Sequence, residues 1–320
     1  MNKKILFNLK HDNEPGGNQH EGVYFEIKKF LNKYYLYYAS HGKIKLIISS
    51  DLSFHNKPIL NVIENAPGYV FTIIKENDTL FILCGCHNSN KEKNEIDIPD
   101  LVWPKEKRMI LDWKIERKDR KNGMYLLKSN NGIDWEEINN IPVLHSYISS
   151  NSCKLGECCF DTHPCLIKWK KEYIFFGRLN CSLDERRIYT RKSKDLINWS
   201  LPEKITISNE NQNNLKKNYY NFVVFEKDGY LYAFTPYFEA CGTEARNCCN
   251  GKTLLLKSKD ALNWEIIDSY FPHLGKYKDR VNSVLIENDN IKVFFRENCL
   301  NINQNLISYD FNPNKQNVYL

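Results

Sequence analysis

Acidic, basic and aromatic side chains stand at comparable points along this chain of 320 residues, beside the ends of short apolar runs. Glu21 precedes V-Y-F-E-I-K-K-F, Asp161 and His163 precede C-L-I-K-W, and Arg178 closes Y-I-F-F-G-R. Tyr237 and Glu239 follow Y-L-Y-A-F, Asp279 and Arg280 precede S-V-L-I, and Arg296 closes I-K-V-F-F-R. Two carboxyl groups facing each other across a bound molecule divide acid and base work when their surroundings push their pKa values apart. A guanidinium group at the end of an apolar strand needs a buried partner or an anionic ligand. Structural readings stand beside the chemical ones. Asp161 can cap a turn before Pro164, and His163 can pack as a hydrogen-bonded core imidazole. Asp279 and Arg280 are adjacent, so in a strand they point to opposite faces and at most one joins the others.

The elements that must position these residues repeat. Apolar runs come in pairs joined by polar turns: 23–39, 69–85, 165–177, 222–234 and 283–295. Turn residues such as N-K, E-N-D, K-K-E, K-D-G and N-D-N make each pair a hairpin. After each pair comes another apolar run and an S-x-(D/N) element, beginning at 49, 129, 193, 258 and 308. Two copies are nearly identical, S-K-D-L-I-N-W at 193–199 and S-K-D-A-L-N-W at 258–264. They read as turns in which Asp or Asn caps the backbone and the following Trp packs between sheets. With no helical period between the runs, the fold expected is all-β: a five-bladed β-propeller of four-stranded antiparallel blades. Residues 4–9, K-I-L-F-N-L, are expected to close the last blade as an N-terminal strand. The whole chain 1–320 is then one domain, with blades at roughly 20–63, 64–145, 160–206, 219–269 and 279–320 plus 4–9. Inner strands of a propeller begin at its axis, so the residues named above would line one mouth, a central funnel. Polar insertions at 87–120 and 237–251 add long loops, where function concentrates.

Composition excludes several classes. The net charge of +6 comes from 45 basic and 39 acidic side chains mixed along the chain. The densest basic run, R-K-D-R-K at 117–121, contains an acid and reads as solvated surface, so no nucleic-acid partner is expected. No apolar stretch approaches the ~18 residues of a membrane span, and the start lacks a signal peptide's apolar region. A cytoplasmic, reducing location and no membrane partner follow as expectations, with the 11 cysteines mostly free thiols. Cys158-Cys159, Cys248-Cys249 and Cys84-Gly-Cys86 lack paired C-x-x-C spacing, and neither a metal nor a cofactor is expected.

S-x-D-L-x-x-W closing five blades resembles the propeller glycosidases related to invertases, levansucrases and arabinanases. The sialidase turn is one residue longer and sits in six blades, and no blade ends in a Trp-Asp pair. The resemblance is densest over 124–202, through F-D-T-H-P-C-L-I-K-W-K-K-E-Y-I-F-F-G-R. It implies a glycoside or oligosaccharide substrate handled by carboxylate acid/base chemistry in the funnel. By position, it implies Glu21 as base or nucleophile, Asp161 as a second acid and Glu239 as proton donor. His163, Arg178, Tyr237, Asp279, Arg280 and Arg296 would hold substrate. Two departures keep other readings open. The first blade carries Q-H-E-G in place of an Asp-Pro signature, and no Glu-Cys element stands at the donor position. A non-catalytic glycan- or protein-binding propeller is the alternative, and a sialidase-like enzyme using Arg178, Arg280 and Arg296 is the third.

Overall fold

A computed structural model of the chain describes residues 4–10, 24–40, 43–64, 66–68, 70–86, 123–144, 158–159, 162–180, 186–210, 216–240, 248–270, 280–297 and 303–312. Every regular element among them is a strand. The chain opens with β1 (Lys4–Lys10). A first four-stranded antiparallel sheet follows in sequence order: β2 (Phe25–Phe30), β3 (Lys33–Ser40), β4 (Lys43–Ser49) and β5 (Leu60–Ile63). A second has the same order: β6 (Val70–Glu76), β7 (Thr79–Cys86), β8 (Gly123–Ser129) and β9 (Glu136–Glu137).

The third and fourth units depart from the expected separate blades. Their strands are β10 (Cys158–Cys159), β11 (Cys165–Trp169), β12 (Glu172–Asn180), β13 (Arg186–Ser193), β14 (Glu203–Lys204), β15 (Thr206–Ser208), β16 (Lys216–Tyr219), β17 (Val223–Lys227), β18 (Tyr230–Ala240), β19 (Cys248–Ser258) and β20 (Asn263–Tyr270). All 11 belong to one sheet. The join is β16, which pairs antiparallel with the extended end of β18 and touches β13 through a parallel Arg186–Asn218 bridge. A second link is β15, which leaves the third unit and adds in parallel to the outer edge of β20. The last sheet holds β21 (Arg280–Glu287), β22 (Asn290–Glu297) and β23 (Asn303–Phe311), with β1 paired antiparallel to β23. One expected turn is absent. Ser308-Tyr309-Asp310-Phe311 lies within β23, and Asp310 pairs with Lys292 across the strand. Uninterrupted pairing of β23 with β22 from Asn305 to Phe311 leaves no room for a turn there.

Alternation along the second strand of each unit explains the core. In β12, Tyr173 and Phe175 join a cluster with the second unit, while Ile174 and Phe176 face the fourth. In β22, Val293 and Phe295 pack against the fourth unit, and Phe294 packs with Leu36 and Tyr38 of the first. A strand buried on both faces reads as a continuous apolar run, which is why these segments carry no polar alternation. The S-x-D elements behave as turns at their other four sites. In the copy at 193, the Ser193 hydroxyl accepts from the N–H groups of Asp195 and Leu196, at 3.1 and 2.9 Å. Asp195 Oδ1 accepts from Ile197 and Asn198. The copy at 258 repeats these bonds, with Trp264 buried edge-on against Phe222 and Phe176. Each turn needs one left-handed residue: Leu52, Gly132, Leu196 and Ala261 have φ of 63°, 75°, 66° and 68°.

Innermost strands pack side by side in the order β2, β6, β11, β17, β21 and again β2. Most of these contacts carry the same bond, from a backbone N–H of one strand to a side chain of its neighbour. Ile73 N donates to Glu26 Oε2 (3.2 Å), Leu166 N to Thr72 Oγ1 (3.1 Å), Val224 N to Cys165 Sγ (3.3 Å) and Ile27 N to Ser283 Oγ (3.0 Å). The position equivalent by register in β17 is Val223, which is apolar. Burial pushes the Cys165 thiol up to about 12, so it stays neutral and also donates to Val224 O.

Candidate active site

The inner-strand bonds bring a polar cluster onto the line where the units meet. His163, two residues before β11, is 3% exposed. Its Nε2 lies 3.0 Å from Asn282 O, at the start of β21, and 3.6 Å from Glu26 Oε1 on β2. A carbonyl oxygen only accepts, so Nε2 carries the hydrogen. The ring stacks parallel on Tyr24 at 5.8 Å and meets the edge of Phe71 at 6.1 Å. Glu26, 4% exposed, also binds Lys28 Nζ at 2.8 Å. A buried carboxylate is tolerated when cations and N–H groups surround it, and Glu26 has both. Asn221 precedes β17, is fully buried, and offers Nδ2 to Asn282 Oδ1 at 3.4 Å.

Around this axis the second strands end in side chains that share a register position. Arg178 on β12 and Arg296 on β22 are each two residues beyond the partner of an inner-strand bonding residue, Cys165 and Ser283 respectively. Both are buried, at 5% and 2% exposure. The Arg178 guanidinium lies 5.1 Å from the centre of the Tyr220 ring, and that of Arg186 lies 5.4 Å from the same ring. Tyr237, on β18, is buried beside its cross-strand partner Tyr219, with ring centres 5.2 Å apart. The Tyr219 hydroxyl donates to Glu210 Oε1 at 2.7 Å, and Arg187 and Lys217 reach that carboxylate at 2.6 and 3.1 Å. Burial opposes ionisation of Glu210, but the Tyr219 bond and the Arg187 and Lys217 charges outweigh it and hold the carboxyl below its usual range. Burial, then the bond to Glu210, pushes the Tyr219 phenol far up, so it serves as a neutral donor.

Of the residues singled out from sequence, His163, Arg178, Tyr237 and Arg296 are buried and lie at the same ends of the inner strand pairs. Glu239 lies on β18 opposite Lys217, and Arg280 pairs with Arg296, in both cases described by main chain alone. Glu21, Asp161 and Asp279 lie outside the described residues. Glu64 forms an exposed ion pair with Lys43. Sequence reading missed Glu26, Arg186, Arg187, Glu210 and Lys217. Glu26 had a signal, a carboxylate between Phe25 and Ile27 inside an apolar strand. Glu210 had none, because N-E-N-Q-N-N reads as loop. Among the described residues, no group of three His, Cys, Asp or Glu side chains is placed to hold a metal ion.

No family model matches the chain, and no curated protein matches it by sequence. Solved structures resemble it in three dimensions. An endo-arabinase from Bacteroides thetaiotaomicron superposes with a TM-score of 0.58, at 11% identity, over 93% of this chain and 95% of its own. The chain has the fold of the propeller glycosidases. An alpha-L-arabinofuranosidase from Lactobacillus brevis gives 0.57 at 10% identity, covering 92% of this chain and 91% of its own. A beta-fructofuranosidase from Bombyx mori gives 0.54 at 13%, covering 93% of this chain and 63% of its own. At these identities the likeness is one of fold, and the propeller glycosidase resemblance drawn from the turn motif stands on that level. No helix among the described residues is long and apolar enough to cross a membrane.

Proposed function

We propose that this chain is a closed five-bladed propeller that hydrolyses a glycoside or oligosaccharide in its central funnel. Strand β1 completes the last blade, and β21 against β2 closes the ring. One observation supports the reading: His163, Arg178, Tyr237 and Arg296 are buried and stand at corresponding ends of the inner strand pairs. The three candidate carboxylates are near these residues in sequence. Asp161 is two residues from His163, Glu239 is two from Tyr237, and Glu21 is three from Tyr24. Glu21 acts as base or nucleophile, Asp161 as second acid and Glu239 as proton donor, with the arginines and Tyr237 orienting the sugar. Fold alone does not establish activity, so the support is the fold taken together with these residues.

Purified protein screened on aryl-glycosides and on arabino-, xylo- and fructo-oligosaccharides is expected to release sugar. Asp161→Asn and Glu239→Gln should each lower kcat by roughly a hundredfold or more, as for loss of a positioned acid or base. Turnover that is unchanged in both variants overturns the mechanism. The Q-H-E-G segment, which lacks an Asp-Pro signature, favours a second reading: a propeller that binds glycan without cleaving it. Saturable glycan binding with no product would select that reading.

A further inference from the structure

We propose that Glu210 is a positioning residue for the mouth of the fourth unit: through Tyr219 it sets Tyr237, the aromatic side chain that orients the sugar. The inference rests on the carbohydrate reading above, which gives Tyr237 that role. The first observation is what converges on the Glu210 carboxylate. Arg187 Nη1, from β13 of the third unit, reaches Oε1 at 2.6 Å, and the Tyr219 hydroxyl, from β16, reaches the same oxygen at 2.7 Å. Lys217 Nζ, also from β16, reaches Oε2 at 3.1 Å. The side chains of Glu210 and Lys217 are 12% and 9% exposed. Charge-assisted bonds sheltered from water hold their groups more firmly than surface pairs do. Glu210 therefore ties β13 to β16 by side chains, beside the main-chain bridge of Arg186 to Asn218.

The second observation is the route from Glu210 to the site. Tyr219 is fully buried, and its ring centre lies 5.2 Å from that of its cross-strand partner Tyr237. The Arg187 guanidinium lies 5.6 Å from the centre of the Tyr219 ring. A tyrosine side chain turns about two torsions, and a bond at its hydroxyl end fixes both. The Tyr219 ring is thus held at its tip by Glu210, and it offers Tyr237 a fixed surface to pack on. The third observation is how little else β16 supplies. It is 4 residues long and ends before β17 begins. Two of those residues, Lys217 and Tyr219, give their side-chain donors to Glu210. Lys217 is also the cross-strand partner of Glu239, the proposed proton donor, so the same carboxylate steadies the strand beside both candidate residues of β18.

Fluorine NMR of the full chain labelled with fluorotyrosine tests this, with the Tyr237 signal assigned by its loss in Tyr237→Phe. Glu210→Gln leaves Tyr219 an acceptor but removes the charge that holds Arg187 and Lys217. It should shift the Tyr237 signal and speed amide exchange in residues 216–219 by roughly tenfold, while residues 223–227 keep their protection. Tyr219→Phe should shift the same signal, and Glu210→Asp, with the charge kept on a shorter stem, should shift it less. These two milder variants carry the test if Glu210→Gln fails to fold. With arabino- and xylo-oligosaccharides, Glu210→Gln should weaken binding about fivefold, and should add little in a Tyr237→Ala background because both changes act at one contact. A Tyr237 signal unmoved by all three variants overturns the proposal, as does full additivity of the Glu210 and Tyr237 changes. A protein that binds no sugar, yet whose Tyr237 signal follows Glu210, would sink the carbohydrate reading and leave the positioning role standing. Sugar binding and a Tyr237 signal that both ignore Glu210 would do the reverse.

Discussion

Glu26 shows how much one side chain in this fold can hold. Its Oε2 receives the Ile73 N–H and the Lys28 ammonium, and its Oε1 faces the His163 ring. Truncation would leave a buried N–H without its acceptor and take the carboxylate from beside the imidazole. Glu26→Ala is therefore expected to cost about 2–4 kcal/mol in urea unfolding. Glu26→Gln keeps an acceptor and should cost clearly less. Equal stability of Glu26→Ala and the parent chain would remove Glu26 from this role. Sequence alone placed Arg178, His163 and Arg296 at strand ends, because polar groups beside apolar runs stand out. The same logic should have found Glu26, whose neighbours Phe25 and Ile27 are both buried.

At the scale of elements, the S-x-D turn is the best-determined piece of the chain. Its short polar side chains bond their own backbone, so nothing distant is needed to form it. For Asp260, burial opposes ionisation, but bonds from Asn263, Leu262 and Ser258 outweigh it and lower the carboxyl to about 2. The sign follows from that depression. Stability from Asp260 is complete above the unfolded carboxyl value of about 3.9 and is lost as pH falls through the folded value. Thermal melts of Asp260→Ala and the parent chain should differ by a constant gap from pH 7 to about 5, and the gap should narrow between about pH 4 and 2. A gap that widens on acidification would contradict the assigned bonds. The fifth copy marks where local chemistry yields. Ser308 and Asp310 have the turn's residues, yet pairing with β22 keeps both extended.

On the scale of the whole molecule, β1 and β23 are joined by a pairing that links the two ends of the sequence. Leu6 is buried in the cluster shared by the last and first units, and its carbonyl accepts the Phe54 N–H at 3.1 Å. The Ser283–Ile27 bond and the Lys29–Glu287 ion pair, at 2.5 Å, tie the same two units. Deleting residues 1–10 would uncover the edge of β23 and open that cluster. The shortened chain is expected to melt several degrees lower and to aggregate on heating, since an exposed strand edge invites pairing between molecules. Melting within a degree of the full chain, without aggregation, would show that β1 is dispensable.

Alternating apolar runs, hairpin turn residues and a recurring Ser-Asp element determined the all-β class, the strand pairs and the positions of the polar strand ends. Those features are local, written in side chains within a few residues of one another. Tertiary structure alone decided that β16 joins the third and fourth units, that Glu26 faces His163 and that Arg187 and Lys217 share Glu210. Each depends on groups far apart in sequence whose approach is set by how sheets pack against one another, and no spacing along the chain encodes that distance.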